Sequence, residues 1–391
     1  ALLGVLSFPA ASQDPAQPAS TDAATESGAA TSVAIPAPLG DVIPELSSQS
    51  SWAQDRTDRG KEPRGPYPVG NGRAFGVLGL GARANTLQSI TGPHYAVDDP
   101  RSKTGHFGST TLELMRGDQA IPLPIQRVRR VRGAGFVITE DAAPDGLVLR
   151  TTTFATPGAT HLPQVIDVVN GSADSLEGIS LHLATDGKPI VDGNTLRKVY
   201  ASKTQPCGLR IALTNAKAAG TTLATALPAL AAGAKWRGVA WLATYDGVDA
   251  PAGLVAEPKL ATATNDARAT QTWWAERLAA TPATDTDHAK VRDLVADWKV
   301  LLLTQTCADA RVACTMLGRR EFHVREAAGP LLSLLRYNLW DEAKHYLEVI
   351  AHSVARDQRV PTTLSLASIA GYGKQSADLS KVDWKNVSVA G

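Results

Sequence analysis

The sequence predicts an α+β protein with more than one domain: a large antiparallel β-sandwich followed by a group of paired helices. From about residue 67 to residue 244, short β-branched or alternating runs recur, separated by turn residues rather than helical segments. From residue 265 onward, apolar residues recur at spacings of three and four, the period of amphipathic helices. A chain of 391 residues with 43% hydrophobic residues can bury a sizeable core in each part.

The N-terminal segment indicates export. Residues 1–12 form a short apolar run that ends in small residues, similar to the remnant of a secretory signal peptide. The run is too short to span a membrane, and a disordered apolar tail is the alternative interpretation. Residues 13–51 predict a disordered leader, because Ala, Ser, Thr and Pro bury too little apolar surface to offset chain entropy. We therefore expect a secreted or periplasmic protein.

The β-sandwich domain is predicted over residues 52–262. Turn signals such as Asn71-Gly72, Pro144-Asp145-Gly146 and Asn170-Gly171 separate its strands. The glycine-rich run after Gly70 is itself strand-like, so it does not fit a dinucleotide-binding loop, which needs a helix after the glycines. The strand-like runs cover residues 85–91, 110–115, 125–131, 136–139, 147–154, 164–169, 178–184, 208–214 and 238–244.

The helical part begins with a linker helix, predicted over residues 263–284. Trp273 and Trp274 lie in it, and we expect them to seal the sandwich against the helices. Residues 285–360 predict three further helices, over 288–306, 327–338 and 341–356, and residues 361–391 predict an irregular tail. Thr286-Asp287 is the predicted N-cap of the first of these helices. Its predicted buried face consists of Val291, Leu294, Val295, Trp298, Leu301 and Leu302.

Charge and cysteine content exclude several classes of protein. The net charge is +1, so no global field indicates a nucleic-acid partner. An arginine-rich run spans residues 127–132, and its alternation with valine predicts one solvated strand face rather than a polyanion site. Cys307 and Cys314 either form a disulfide or remain two buried thiols. Since no Cys/His spacing fits a zinc site, we expect no metal and no cofactor.

The candidate site is the polar, charge-dense stretch of residues 319–335, which leads directly into an apolar helix. Arg325 and Glu326 stand at the start of that helix, where they are either sugar-binding groups or a surface ion pair. His323 is either a substrate contact or a loop histidine bonded to the backbone. Trp340, like Trp298 and Tyr337, is either a stacking platform for a sugar ring or a core residue.

Three segments of the chain resemble the glucoamylase-like glycoside hydrolases. The first is Gly70-Asn71-Gly72-Arg73 with Phe75-Gly76, similar to the entry of their N-terminal sandwich. The second is the strand that ends at Asn170. The third joins Val324-Arg325-Glu326, the Leu331–Leu335 run and Asp341-Glu342-Ala343-Lys344, although the family pattern has Arg-Asp where this chain has Arg-Glu. The resemblance implies a sandwich followed by a six-hairpin (α/α) toroid, of which residues 285–360 hold only the first helices.

The resemblance also implies a function. It implies an exported carbohydrate-active protein, part of a glycoside hydrolase that acts on oligosaccharides through two carboxylates, which would lie beyond this chain. Substrate-binding roles then fall to Arg325, Glu326, His323 and Trp340. Whether this chain alone is an enzyme stays open. The alternatives are a glycan-binding or partner-binding protein without catalysis, and a disaccharide phosphorylase. A partner chain or a missing C-terminal half would complete the toroid.

Overall fold

The computed structural model describes residues 51–57, 66–79, 83–95, 97, 104–202, 205–251, 253–254, 257–308, 312, 321–357, 362–366 and 369. The strands are β1 (Ser51–Thr57), β2 (Tyr67–Gly70), β3 (Phe75–Leu78), β4 (Gln88–Thr91), β5 (Thr110–Arg116), β6 (Gln119–Ala120), β7 (Ile125–Val131), β8 (Val137–Ala142), β9 (Leu147–Thr153), β10 (His161–Asn170), β11 (Ile179–Thr185), β12 (Ile190–Asp192), β13 (Thr195–Tyr200), β14 (Cys207–Leu213), β15 (Lys217–Ala219), β16 (Thr222–Ala226), β17 (Lys235–Asp246), β18 (Glu321–His323) and β19 (Thr363–Ser365). The helices are α1 (Leu260–Ala279), α2 (Ala289–Thr304), α3 (Ala328–Arg336) and α4 (Trp340–Asp357).

Two antiparallel sheets form the predicted β-sandwich. The larger sheet has nine strands in the order β1-β7-β8-β9-β10-β17-β14-β13-β12, and the smaller has five in the order β15-β16-β11-β5-β6. Leucines from both sheets share one buried core, among them Leu112, Leu181 and Leu242. Three further strands form a separate sheet in the order β2-β3-β4. The sequence-based prediction of an antiparallel sandwich is therefore confirmed.

The nine-stranded sheet is covered on both faces. Its second face packs against α1 through Ala263 and Ala267, with Val165 and Trp241 opposite them. Because neither face meets water, β10 is buried from Leu162 to Asn170 instead of alternating between buried and exposed residues. Burial on both faces explains why this strand is longer than the alternation in the sequence indicates.

The helices and the short sheet formed by β18 and β19 share a second core. Trp274 of α1, Phe322 of β18 and Tyr346 of α4 are fully or almost fully buried in it. Trp273 is partly buried against the same core. The tryptophan pair therefore lies between the sandwich and the helices, as the sequence predicts.

The turn between β2 and β3 joins the sandwich to the end of α2. The Tyr95 hydroxyl donates a hydrogen bond to the Thr304 carbonyl oxygen at 2.8 Å and accepts one from the Gly72 amide at 2.9 Å. The Ala308 amide then donates to the Gly72 carbonyl oxygen at 2.9 Å. Asn71 closes the turn itself, since its side-chain oxygen accepts from the Ala74 amide. The Gly70–Arg73 segment, which resembles the family pattern, is thus the junction between the sandwich and the end of α2.

The predicted buried face of α2 is confirmed for Leu302, which is 5% exposed, and is wrong for three of its other residues. Val291, Leu294 and Trp298 are 43%, 50% and 47% exposed. The inward face instead carries Asp297 and Lys299, each 6% exposed, which no apolar periodicity can identify. The predicted N-cap is also wrong: the helix begins after His288, and no side chain caps it.

Two other expectations need correction. The four arginines of residues 127–132 do not share one solvated face, because Arg127 and Arg129 have the opposite strand parity from Arg130 and Arg132. Arg130 is 5% exposed. The predicted irregular tail contains β19, which pairs with β18. The signal-like segment, the leader up to residue 50 and Cys314 lie outside the described residues, so those predictions stand untested. Ser51, the last residue of the predicted leader, begins β1.

Gly70→Ala is expected to destabilise the junction. A methyl group at Gly70 would lie 3.0 Å from the Thr304 carbonyl oxygen and would collide with the Tyr95 hydroxyl. Overpacking of this kind costs about 1–3 kcal/mol. Gly329→Ala is the matched control, because nothing lies within 4 Å of its added methyl group. Urea denaturation measures both changes, and equal stability of the two variants would contradict this account of the junction.

Tyr95→Phe is expected to lower the free energy of unfolding by about 1–3 kcal/mol, because the Gly72 amide and the Thr304 carbonyl lose a buried partner. Tyr337→Phe serves as the control, since the Tyr337 hydroxyl makes no hydrogen bond within the described part of the chain. Thermal unfolding measures the stability of the wild type, of Tyr95→Phe and of Tyr337→Phe. A loss in Tyr337→Phe as large as that in Tyr95→Phe would show that the hydrogen bonds are not the cause.

Candidate functional site

The candidate site is built on β18. Successive side chains of a strand point to opposite faces, so Glu321 and His323 share one side while Phe322 occupies the other. Phe322 is fully buried and meets the ring of Tyr346 edge-on, with centroids 5.2 Å apart and planes at 83°. The strand pairs with β19, opposite Leu364 and its neighbours. The apolar side of β18 therefore fixes the position of its polar side.

His323 lies between two carboxylates. Its Nε2 is 3.2 Å from a carboxylate oxygen of Glu321, and its Nδ1 is 4.0 Å from one of Glu326. The Thr363 hydroxyl, on β19, lies 3.5 Å from the same Nδ1. Glu321 and His323 are each 9% exposed. The expectation of a loop histidine is wrong, because His323 belongs to a strand and its ring contacts acidic side chains.

Arg325 and Glu326 lie in the short turn that leads from β18 into α3. The Val324 amide donates to the Thr362 carbonyl oxygen at 3.0 Å, and the Ala327 amide donates to the His323 carbonyl oxygen at 2.8 Å. These two bonds fix the backbone on either side of the pair. Both side chains therefore project from a turn of defined geometry.

The two side chains form an ion pair that faces solvent. A terminal nitrogen of Arg325 donates to a carboxylate oxygen of Glu326 at 2.9 Å, and the arginine side chain is 88% exposed. This hydrogen bond, followed by the bond to its own backbone amide, lowers the pKa of Glu326. Glu326 is therefore an ionised hydrogen-bond acceptor at neutral pH, and the guanidinium keeps most of its donors directed to solvent.

The structure brings three of the four sequence-predicted site residues together. His323, Arg325 and Glu326 belong to one cluster, which we call the β18 cluster, together with Glu321 and Thr363. Trp340 is the first residue of α4 and is 58% exposed, so the core-packing alternative is wrong for it. Among the described residues, no hydrogen bond, ion pair or ring contact joins Trp340 to the cluster.

The Asp341-Glu342-Ala343 segment at the start of α4, which resembles the family pattern, has a structural role. Glu342 forms an ion pair with Arg277 of α1, and Ala343 is buried in the helical core. Burial lowers the pKa of Arg277, and the nearby charge of Asp341 acts in the opposite direction. These residues therefore hold α4 against α1 and are not part of the β18 cluster.

Glu321 and Thr363 are the members of the cluster that the sequence analysis missed. A Glu-x-His pattern places both side chains on one side of a strand, and this signal is visible in the sequence. Thr363 was missed because it lies in the segment predicted to be irregular. Within the described ranges, no group of three or more His, Cys, Asp or Glu side chains is arranged to hold a metal ion. No described helix combines the length and apolar character needed to cross a membrane.

No protein-family model matches the chain, and no curated protein matches it significantly by sequence. Solved structures do match its fold. A protein described as a kojibiose phosphorylase from the human microbiome superposes with a TM-score of 0.53 at 9% identity, over 83% of this chain and 55% of that one. A bacterial glucoamylase complexed with acarbose superposes with a TM-score of 0.54 at 11% identity, over 81% of this chain and 56% of that one.

These likenesses establish the fold and leave the substrate open, since the sequence identities are far below 25%. The chain spans little more than half the length of either protein. Both matched proteins have the six-hairpin glycosidase fold. The resemblance of this chain to the glucoamylase-like clan is therefore confirmed at the level of the fold: a β-sandwich followed by a partial helical domain.

Proposed function

We propose that this chain is part of an exported carbohydrate-active protein that binds an oligosaccharide at the β18 cluster. The observation that carries the proposal is the Arg325–Glu326 pair, solvent-facing and mounted on a fixed turn at the entrance of α3. Two carbohydrate enzymes share the fold, which supports the same class of ligand. Export rests on the signal-like pattern of residues 1–12.

The chemistry of the pair suits sugar hydroxyl groups. A hydroxyl both donates and accepts, so a guanidinium and a carboxylate 2.9 Å apart can engage one hydroxyl each or share a vicinal pair. The Arg325 side chain is 88% exposed, so the donors that it does not share with Glu326 bind water in the free protein. A sugar that reaches the turn therefore replaces water as the partner of groups that are already held together.

Glu326 fits a binding role better than an acid role. A general acid at neutral pH needs a raised pKa, and the hydrogen bond from Arg325 lowers that of Glu326. Glu321 and Glu326 do not form a catalytic pair either. The ring of His323 lies between their carboxylates, in the space that a glycosidic bond and a water molecule would occupy. We therefore place the two hydrolytic carboxylates outside the described residues.

Trp340 is a candidate stacking platform. Its indole is 58% exposed at the start of α4, and exposed aromatic faces suit the apolar faces of sugar rings. It would extend the site beyond the β18 cluster to a second sugar unit. Trp298 of α2, 47% exposed, is held near α3 by a contact of 3.5 Å from its indole nitrogen to the Ser333 hydroxyl.

The exposed apolar side of the helices supports a further part of the proposal. Helices α2, α3 and α4 each leave large apolar side chains exposed to solvent, and exposed apolar surface on packed helices indicates an interface. We propose that further helices, from the rest of a longer chain or from a partner chain, cover this surface, which we call the helical face. Its residues are Val291, Leu294, Trp298, Leu332 and Leu347.

Two alternatives differ from hydrolysis in measurable ways. A phosphorylase would release a sugar phosphate and need inorganic phosphate, and one of the matched proteins is described as such an enzyme. A glycan-binding protein would bind an oligosaccharide without turnover. Incubation of the natural-length protein with oligosaccharides, with and without inorganic phosphate, separates the three by product analysis.

Arg325→Ala in the natural-length protein is expected to lower kcat/KM about tenfold or more, the value of a lost charge-assisted hydrogen bond. The free energy of unfolding should change by less than about 0.5 kcal/mol, because the side chain is almost fully exposed. Arg336→Ala, an exposed arginine at the end of α3, is the matched control. An equal loss of activity and stability in Arg325→Ala would contradict a substrate-contact role.

Leu294→Glu tests the helical face. If other helices cover this residue in the natural-length protein, a buried charge there should cost several kcal/mol, roughly 3 or more. In the 391-residue chain by itself the same change should reduce binding of a hydrophobic dye with little loss of stability. Leu260→Glu, at an exposed leucine of α1, is the control. Unchanged stability of the natural-length Leu294→Glu protein would show that nothing covers the face.

A further inference from the structure

A group of charged residues lies where α2 meets the sandwich. Asp293 and Asp297 are one helical turn apart on α2, so both project from the same face. Arg130 of β7 and Arg132, just after that strand, lie opposite them. A terminal nitrogen of Arg132 donates a hydrogen bond to a carboxylate oxygen of Asp293. We call these four residues the α2 seat.

The inner half of the α2 seat is buried. Asp297 is 6% exposed and Arg130 is 5% exposed. The Gly133 amide donates a hydrogen bond to the Asp297 carboxylate. The Oδ1 atom of Asp297 is buried and has no hydrogen-bond partner among the described residues. A terminal nitrogen of Arg130 reaches the Pro68 carbonyl oxygen at 3.5 Å. The outer pair, Asp293 with Arg132, remains partly open to solvent.

A buried carboxylate whose oxygen lacks a donor is costly in its ionised form, because it has given up water without a full replacement. Burial accordingly raises the pKa of Asp297 from 3.8 to about 6. The charge of Arg130, the Gly133 amide and the charge of Arg132 act in the opposite direction and only partly offset burial. The other titratable groups of the α2 seat and its surroundings are Asp293 on the same helix and Tyr67 of β2, which lies beside Arg130.

We propose that Asp297 is a proton-uptake site that tightens the seating of α2 on the sandwich as the pH falls. Protonation removes the charge that the buried position disfavours, while the hydrogen bond from the Gly133 amide can persist to the carboxyl group. Lys299, two residues further along α2, connects this helix to its neighbours. Its amino group donates to the Thr281 hydroxyl at 2.9 Å and to the Pro282 carbonyl oxygen at 2.8 Å, and it lies over the ring of Tyr337 at 4.9 Å.

The sign of the effect follows from proton linkage. Because the pKa of Asp297 is higher in the folded protein than in the unfolded chain, the folded state binds more protons between these two values. The resulting stabilisation is complete below pH 3.8 and is lost as the pH rises through about 6. Between pH 7.5 and pH 5 the folding equilibrium constant gains about tenfold from this group.

The test compares the 391-residue chain with its Asp297→Asn variant in urea denaturation between pH 5 and pH 7.5. Asparagine keeps an oxygen for the Gly133 amide and cannot ionise. We expect the ratio of the variant's folding constant to that of the wild type to rise about tenfold from pH 5 to pH 7.5. Asp287→Asn, which removes the same charge from an exposed position before α2, should show a constant ratio. A constant ratio for Asp297→Asn would overturn the proposal.

A second measurement covers the case in which Asp297→Asn does not fold. Amide hydrogen exchange of the wild-type chain, corrected for intrinsic rates, reports the protection of α2 relative to β10 at each pH. A relative gain of protection in α2 as the pH falls from 7.5 to 5 supports the proposal. Equal pH dependence in α2 and β10 contradicts it.

Discussion

The packing of α1 on the outer face of the nine-stranded sheet is the interaction on which the rest of the structure depends. A sheet whose central strands are apolar on both sides needs two covers, and the five-stranded sheet supplies only one of them. Small side chains at Ala263 and Ala267 let α1 approach closely. Trp274, further along the same face, packs on Gly135, where any side chain would collide with the indole. The direction of α1 is thereby fixed, and with it the start of the helical part.

The β18 cluster depends on this arrangement through two steps. Thr281 and Pro282, just after the end of α1, bind the amino group of Lys299, which positions α2. The helical core that forms beside it buries Phe322, and the strand then presents Glu321 and His323 on its other side. The polar groups of the cluster are thus held in place by apolar contacts elsewhere, and loss of those contacts would separate them without any change in the polar residues themselves.

Local patterns predicted the bounds of some strands and missed those of others. Strand β7 was predicted with the bounds observed, Ile125–Val131, although its arginines do not share one solvated face. The predicted ends of β10 were too short, since burial on both faces removes the alternation that marks a strand. The three-residue strand β19 was missed because its only support is the partner strand, which lies about forty residues earlier in the sequence.

The errors at α2 have one physical cause. Apolar periodicity assigns the buried face to Val291, Leu294 and Trp298, but the helix turns Asp297 and Lys299 inward, where arginines, an amide and a threonine satisfy much of their polarity. Partners of this kind are distant in sequence and cannot be found from the helix itself. The site was easier to find, because Arg325 and Glu326 are adjacent in the chain and the local turn alone brings them together. Glu321 could be assigned to the cluster only once residues 321–323 were known to form a strand, because the strand places its side chain beside His323.

Binding of an oligosaccharide at the β18 cluster is tested by a crystal structure of the natural-length protein soaked with a panel of linear and branched oligosaccharides. We expect a sugar hydroxyl within about 2.7–3.2 Å of the Arg325 guanidinium or the Glu326 carboxylate. A sugar bound elsewhere, with the Arg325–Glu326 pair still facing only solvent, would contradict it.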